Sequence, residues 1–274
     1  YGIIYNKDMF TEVGFDEPPK TISEFKELCE ALKSIGITPL GFGFKEGWIM
    51  SQFLVFPFGS DSEFPSVTDD IKSGKKVLKD IYFYQNYKDF ADLCLANCQD
   101  KVLEGDYTTQ VTLFAAGEVA MITNGDWTAG MITEITPDIN MGIMGMPYTD
   151  KAEDYKIPVS ASNCMGYFKD SAAPEEAIKF IEWLVTTDEG KDWIGNDWKM
   201  ATPVKNVNGE LNVLSQDGMT AVEKGYSCSW GDVHFPGESY ASYSIEFQKY
   251  ILGETDWDTM LDAMSAEIVN YASK

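Results

Sequence analysis

The stretch LFAAGEVAMITNGDWTAG, residues 113–130, decides the architecture. Its opening reads as the close of a helix. Gly117 is the stop, because the residue past a helix end often takes the left-handed conformation that glycine tolerates. EVAMIT, residues 118–123, then reads as a short strand. Asn124-Gly125-Asp126-Trp127 follows as a turn with a large aromatic at its mouth. A tryptophan straight after a strand reads three ways: as core, as the packed corner of a hairpin, or as a flat platform for a ligand.

Working outward, helices and strands alternate. TISEFKELCEALKSIG, residues 21–36, is an amphipathic helix with Thr21 and Glu24 as a capping box. Phe25, Leu28, Cys29 and Leu32 recur at helical spacing, and Gly36 ends the helix. ITPLGFGF follows as a short strand and loop, and KEGWIMSQFLVFPFG as a turn feeding a helix. Residues 70–117 are helical with interruptions, with apolar Val77, Leu78, Ile81 and Tyr82. A second strand is expected near 140–146, and a strand pair or bent strand in KIPVSASNCMGYF, residues 156–168. In APEEAIKFIEWLVTTDEG, residues 173–190, Pro174 suits the first turn of a helix and Glu175 and Glu176 its positive end. Ala177, Phe180, Ile181 and Leu184 are expected to face inward. The last helix is TDWDTMLDAMSAEIVNYA, with Thr255 and Asp258 as caps and a stripe of Trp257, Leu261, Met264, Ile268 and Tyr271. No period of repetition and no low-complexity linker appears, so the pattern is α/β and any second domain is joined by crossovers.

Composition narrows the ligand. The 274 residues suffice for two modest domains with a sizeable core. The net charge is −23, and all 21 basic residues are lysine. Such a chain repels nucleic acid and anionic membrane surfaces. Without arginine it lacks the bidentate fork that clamps phosphate or carboxylate. A neutral or cationic ligand fits better. Aromatics make up 14 % of the chain, seven of them Trp, which suits both cores and stacking on the faces of sugar rings. Five irregularly spaced cysteines read as buried free thiols, and Cys94 and Cys98 lack zinc-pair spacing. His234 is the only histidine, so a histidine metal site or a catalytic triad has little to build on. YGIIYNKDMF lacks the marks of a signal peptide, and no apolar run reaches membrane-spanning length. Because Gly2–Tyr5 already reads as a buried strand, the chain is expected to be a fragment of a longer protein.

Four segments together resemble the extracellular sugar-binding proteins of ABC importers, the family 1 solute-binding proteins. They are IIYNKDMFTEVGFDEPPKTISEFKELCEALKSIGITPL, FAAGEVAMITNGDW, SAAPEEAIKFIEWLVTTDEG and ILGETDWDTMLDAM, in family order over nearly the whole chain. The resemblance implies a type 2 periplasmic-binding-protein fold, two α/β lobes that hinge shut on a ligand. It also implies about a hundred further residues ahead of the first segment, a domain-sized piece that builds most of the N-terminal lobe. On that pattern residues 1–158 and 203–274 form the C-terminal lobe, and residues 159–202 are a piece of the N-terminal lobe. The helix in that piece would lack the sheet it packs on, so another chain, self-association or rearranged packing must cover it. The implied role is capture of a mono- or oligosaccharide and delivery to a permease, with no chemistry, no cofactor and no metal. The implied place is extracellular or periplasmic, as a lipoprotein whose membrane anchor lies in a missing N-terminal part. A fragment of this kind is expected to bind weakly.

The same resemblance points to ligand-binding residues. Trp127 matches a sugar-stacking tryptophan, at the carboxyl end of a strand where open α/β sheets bind ligands. Trp48 and Tyr240 fall where relatives line the cleft with aromatics. Trp230 lies in a region that carries cleft contacts in some relatives, and for it and His234 ordinary packing stays open. Asp126 and Glu238 stand beside these platforms as acceptors for sugar hydroxyls or as solvated carboxylates, and Asn124 reads as a turn residue. Two rivals remain. A glycoside hydrolase would need two carboxylates about 5–10 Å apart across one sugar bond. An acidic surface adhesin would have no cleft and no sugar-dependent stability.

Overall fold

The continuous apolar run of GIIYN, buried on both faces, suits the inner place that the first strand takes in its sheet. The computed structural model describes residues 1–161 and 164–274, without the side chain of Glu238. In chain order the elements are β1 (Gly2–Asn6), α1 (Lys7–Glu12), α2 (Ile22–Ser34), β2 (Thr38–Gly41), α3 (Gly47–Val55), α4 (Val67–Lys72), α5 (Tyr82–Leu95), α6 (Tyr107–Ala115) and β3 (Val119–Asn124). There follow α7 (Ala129–Ile135), β4 (Met141–Met144), β5 (Ile157–Pro158), α8 (Pro174–Thr186), α9 (Asp188–Trp193), α10 (Val213–Lys224), β6 (Ser227–Cys228), α11 (Tyr240–Ile251) and α12 (Trp257–Ala272). The main sheet has the order β2-β3-β1-β4. β1 is antiparallel to both neighbours, pairing Ile4 with Ile122 on one side and Ile143 on the other. β2 runs parallel to β3.

Because side chains alternate along a strand, each strand feeds two layers. Ile3, Tyr5, Leu40, Met121 and Met144 face a large aromatic core built by α2, α3, α5, α11 and α12. Phe53 sits within it, with ring centroids 5.4 Å from Phe42, 5.5 Å from Tyr87 and 5.9 Å from Phe247. Ile4, Ile122 and Ile143 face a smaller core with Val111 and Phe114 of α6, Ile132 of α7 and Leu214 of α10. The result is a three-layer α/β arrangement, as the alternation of elements predicts.

The caps explain the boundaries. Thr21 Oγ1 accepts from the Glu24 amide at 3.2 Å, and the Glu24 carboxylate accepts from the Lys20 and Thr21 amides at 2.8 and 3.1 Å. The Lys20 amide first, then Thr21, lowers the Glu24 pKa. Gly36 and Gly117 take the left-handed conformation at their helix ends, at φ +85° and +74°. α12 departs from expectation: Asp256, not Thr255 or Asp258, is its N-cap and accepts from the Thr259 amide at 2.8 Å. Tyr271 is only half-buried, and Met260 takes an inward position instead.

Residues 156–168 also differ from the expected strand pair or bent strand. Only Ile157–Pro158 forms a strand, parallel to Ser227–Cys228, and Ser162 and Asn163 lie outside the described residues. In α8 the predicted inward face is only partly covered. Leu184 alone is buried, Ala177 and Ile181 are half-buried, and Phe180 is 53 % exposed and stacks on Trp183 at 5.8 Å. α8 packs on α9 through Leu184, and the rest of its apolar face, Phe180 above all, is left uncovered by the described elements.

Candidate functional site

The site is built where β3 ends. Asn124 is a buried member of a polar network rather than a simple turn residue. Its Nδ2 donates to Gln110 Oε1 at 3.0 Å, and its Oδ1 accepts from the Gly125 amide at 2.9 Å. Gln110 Nε2 in turn donates to the Gly41 and Thr123 carbonyls at 3.1 and 3.2 Å. A fully paired buried network fixes backbone direction, and here it fixes the exit of β3. The chain then makes a single helical turn, Asp126–Thr128, and enters α7. β3 pairs with β1 and β2, so the hairpin-corner alternative for Trp127 is overturned.

Gly125 has an ordinary extended backbone, φ −106°. What requires glycine is space: a Cβ there would stand 2.0 Å from Trp127 Cζ3. The indole therefore lies folded over its own turn. It stacks near Tyr1, with centroids 6.4 Å apart at 27°, and meets Trp230 edge-on at 6.1 Å and 74°. Phe56 backs both neighbours, stacked on Trp230 at 4.1 Å and edge-on to Tyr1 at 5.0 Å. Tyr1, Trp127 and Trp230 line a cavity of about 310 Å³. Ile181, Leu184 and Val185 of α8 line it too, together with Trp198 and Met200.

Asp126 supplies polarity at the foot of this wall. Its carboxylate accepts from Ser215 Oγ, and its carbonyl from Asn212 Nδ2 at 3.4 Å. Asn212 is the N-cap of α10 and accepts from the Ser215 amide at 2.9 Å, so the helix start and the turn are tied together. Trp230 Nε1 and Asp232 Oδ1 are buried with no partner among the described residues. Burial pushes the Asp232 carboxyl up to about 6.

Trp127, Asp126 and Trp230 thus come together on one cavity. Trp48 and Tyr240 do not line it. They pair with each other: the Tyr240 hydroxyl donates to the Trp48 carbonyl at 3.3 Å, and Ser51 Oγ to the Tyr240 carbonyl at 2.9 Å. Trp48 meets Tyr107 edge-on at 5.3 Å, and the Tyr107 hydroxyl reaches Thr128 Oγ1 at 3.4 Å, beside Trp127. The side chain of Glu238 lies outside the described residues. His234 is exposed and rests against Phe64 at 5.5 Å. Sequence reasoning missed Tyr1, Trp198 and Ser215. Ser215 carried a readable signal, three residues past the capping Asn212, but nothing local marked the other two.

Burial pushes the thiols of Cys29 and Cys228 up to about 12 and that of Cys98 to about 11, which keeps them protonated and unreactive. Against the reading of five buried thiols, only Cys29 and Cys94 are buried; Cys98 and Cys228 are half-buried and Cys164 is exposed. Among the described residues no three His, Cys, Asp or Glu side chains gather to hold a metal, and no helix is long and apolar enough to cross a membrane.

Residues 1–218 match the sequence family described as bacterial extracellular solute-binding protein. A binding protein of Brucella abortus strain 2308 is 25 % identical over 193 residues, covering 69 % of this chain and 44 % of that one. The maltotriose-binding protein of Pyrococcus abyssi is 24 % identical over 195 residues, covering 68 % of this chain and 38 % of that one. The chain therefore spans less than half the length of these curated relatives. RafE, solved in complex with raffinose, superimposes on 99 % of this chain and 71 % of its own, with a TM-score of 0.74 at 22 % identity. The apo form of RafE is from Streptococcus pneumoniae. These matches show the mixed α/β fold of periplasmic-binding-like proteins.

Proposed function

The chain belongs to the bacterial extracellular solute-binding proteins, and we propose that it captures an oligosaccharide and passes it, chemically unchanged, to the permease of an ABC importer. One observation carries this reading: Tyr1, Trp127 and Trp230 form an aromatic wall with the Asp126–Ser215 pair at its foot. Flat rings suit the C–H faces of sugars, and a few fixed polar groups orient the hydroxyls. Two relatives support it, one named for maltotriose and one solved with raffinose. The net charge of −23 and the absence of arginine favour a neutral ligand over an anionic one.

Residues 1–158 and 203–274 are assigned to one lobe and residues 159–202 to a piece of the other. The cavity lies where these pieces meet, and hinge closure would narrow it over the ligand. Trp48, Tyr240 and Glu238 are kept as further candidate sugar contacts, Trp48 being linked through Tyr107 to Thr128 beside Trp127. The role places the protein outside the cytoplasm, at the cell surface on a lipid anchor or in the periplasm. The uncovered part of the α8 face is assigned to contact with residues absent from these 274, and in their absence to self-association. Binding by this chain alone is expected to be weak. Calorimetric titration of the full-length protein with raffinose and maltotriose tests the reading. Heat that saturates supports it. No heat with any oligosaccharide, or release of sugar from a chromogenic glycoside, overturns it.

A further inference from the structure

We propose that the chain carries a second small-molecule site, separate from the aromatic wall, that takes the primary ammonium group of a small flexible amine. The site is a polar cavity of about 430 Å³ between α1, the loop after it, β4 and α10. Buried Ile143 and Ile157 form the partition between it and the first cavity.

Its floor is a set of phenols. Tyr5 is 8 % exposed, lines the cavity, and its hydroxyl has no hydrogen-bond partner among the described residues. The Tyr226 hydroxyl is likewise unpartnered among them. Tyr155 accepts from the Gly145 amide at 3.1 Å. One face of Tyr5 is covered by Phe10, stacked at 4.6 Å, and Tyr155 is tilted against Tyr226 at 6.2 Å. The unpartnered phenol oxygens favour hydrogen bonding to a ligand over sugar stacking.

Carboxylates approach these phenols from two elements. Asp16 and Glu17 come from the loop after α1, and Asp217 comes from α10. Glu17 and Asp217 both act on the Tyr5 and Tyr226 phenols, adding to the upward push of burial on each. Lys7 is the single cation on the lining and forms no ion pair among the described residues. Three acids against one base leave an excess of negative charge around unpartnered oxygens, which repels anions. No three potential metal ligands gather among the described residues, so a bare metal ion has no complete set. A primary ammonium has three N–H donors, and phenol and carboxylate oxygens are its natural acceptors. The volume is at the scale of a small-molecule site.

Calorimetry with putrescine on the 274-residue chain in 150 mM sodium chloride tests this, with 1,4-butanediol as the neutral counterpart. Expected is saturable binding of one putrescine and none of the diol. Glu17→Gln with Tyr226→Phe should weaken it at least tenfold, and Lys7→Met should tighten it. Glu17 is exposed and caps nothing, and unchanged melting curves confirm that the variants are folded. Asp217 is left intact because it accepts from the Ile143 amide of β4 at 3.1 Å. Heat that does not saturate, or that saturates equally in the variants, overturns the site and leaves only attraction to an acidic surface.

Discussion

The indole of Trp127 occupies the space that a side chain on Gly125 would need, with Cζ3 2.0 Å and Cη2 2.2 Å from where a Cβ would stand. The glycine therefore serves ring placement and not backbone strain. Gly125→Ala is expected to drive the indole off its seat between Tyr1 and Trp230 while β3 keeps its pairing. Oligosaccharide affinity of the full-length protein should fall by about 1 kcal/mol or more, the scale of an aromatic contact. Tryptophan emission should shift in the unliganded protein. Unchanged emission and affinity would mean that the indole does not use this seat.

Trp127→Ala removes the platform without moving the turn, since Asp126 remains tied to Ser215 and Asn212. Affinity for raffinose or maltotriose should again drop by about 1 kcal/mol or more. The melting temperature of the free protein should change little, because Trp127 is only half-buried. Affinity equal to the parent's would take Trp127 out of the site.

Much of this arrangement was legible in the sequence. The capping box at Thr21 and Glu24, the stops at Gly36 and Gly117 and a strand over residues 119–123 all follow from local rules, and local geometry obeys them, although β3 runs one residue further, through Asn124. Three features were not legible, each because its cause is distant in sequence. Tyr1 meets Trp127 only because β1 pairs with β3, 122 residues apart at Gly2 and Asn124. Trp48 and Tyr240 meet each other only because α3 packs on α11. In α8 the apolar spacing was right for a helix, while burial of Phe180 depends on a layer the described residues do not supply.

Asp232 makes a pH prediction with a definite sign. Burial raises its folded-state pKa from 3.8 to about 6. Between those values the folded chain holds a proton that the unfolded chain has released, so stability falls as pH rises through the window. Above it the burden of a buried charge stays constant. Asp232→Asn should abolish this part of the decline. Urea melts at intervals from pH 4 to 8 should show the variant gaining on the parent up to about pH 6, then level. A constant difference across the range would remove Asp232 as the cause.

Phe53 and Phe180 separate the packed layer from the bare one. Phe53 is fully buried among Phe42, Tyr87 and Phe247, so Phe53→Ala leaves a void its neighbours cannot close. A loss of about 3–5 kcal/mol is expected in urea melts of the 274-residue chain. Phe180 is 53 % exposed on α8 and touches chiefly Trp183. Phe180→Ala should stay within about 0.5 kcal/mol, since little apolar area returns to water and alanine favours the helix. Sedimentation velocity adds a second reading, because an exposed aromatic pair favours association between copies. Phe180→Ala should then shift any larger species towards monomer. If it instead costs as much as Phe53→Ala in dilute monomer, the face of α8 is covered within the chain and its assignment to an external contact falls.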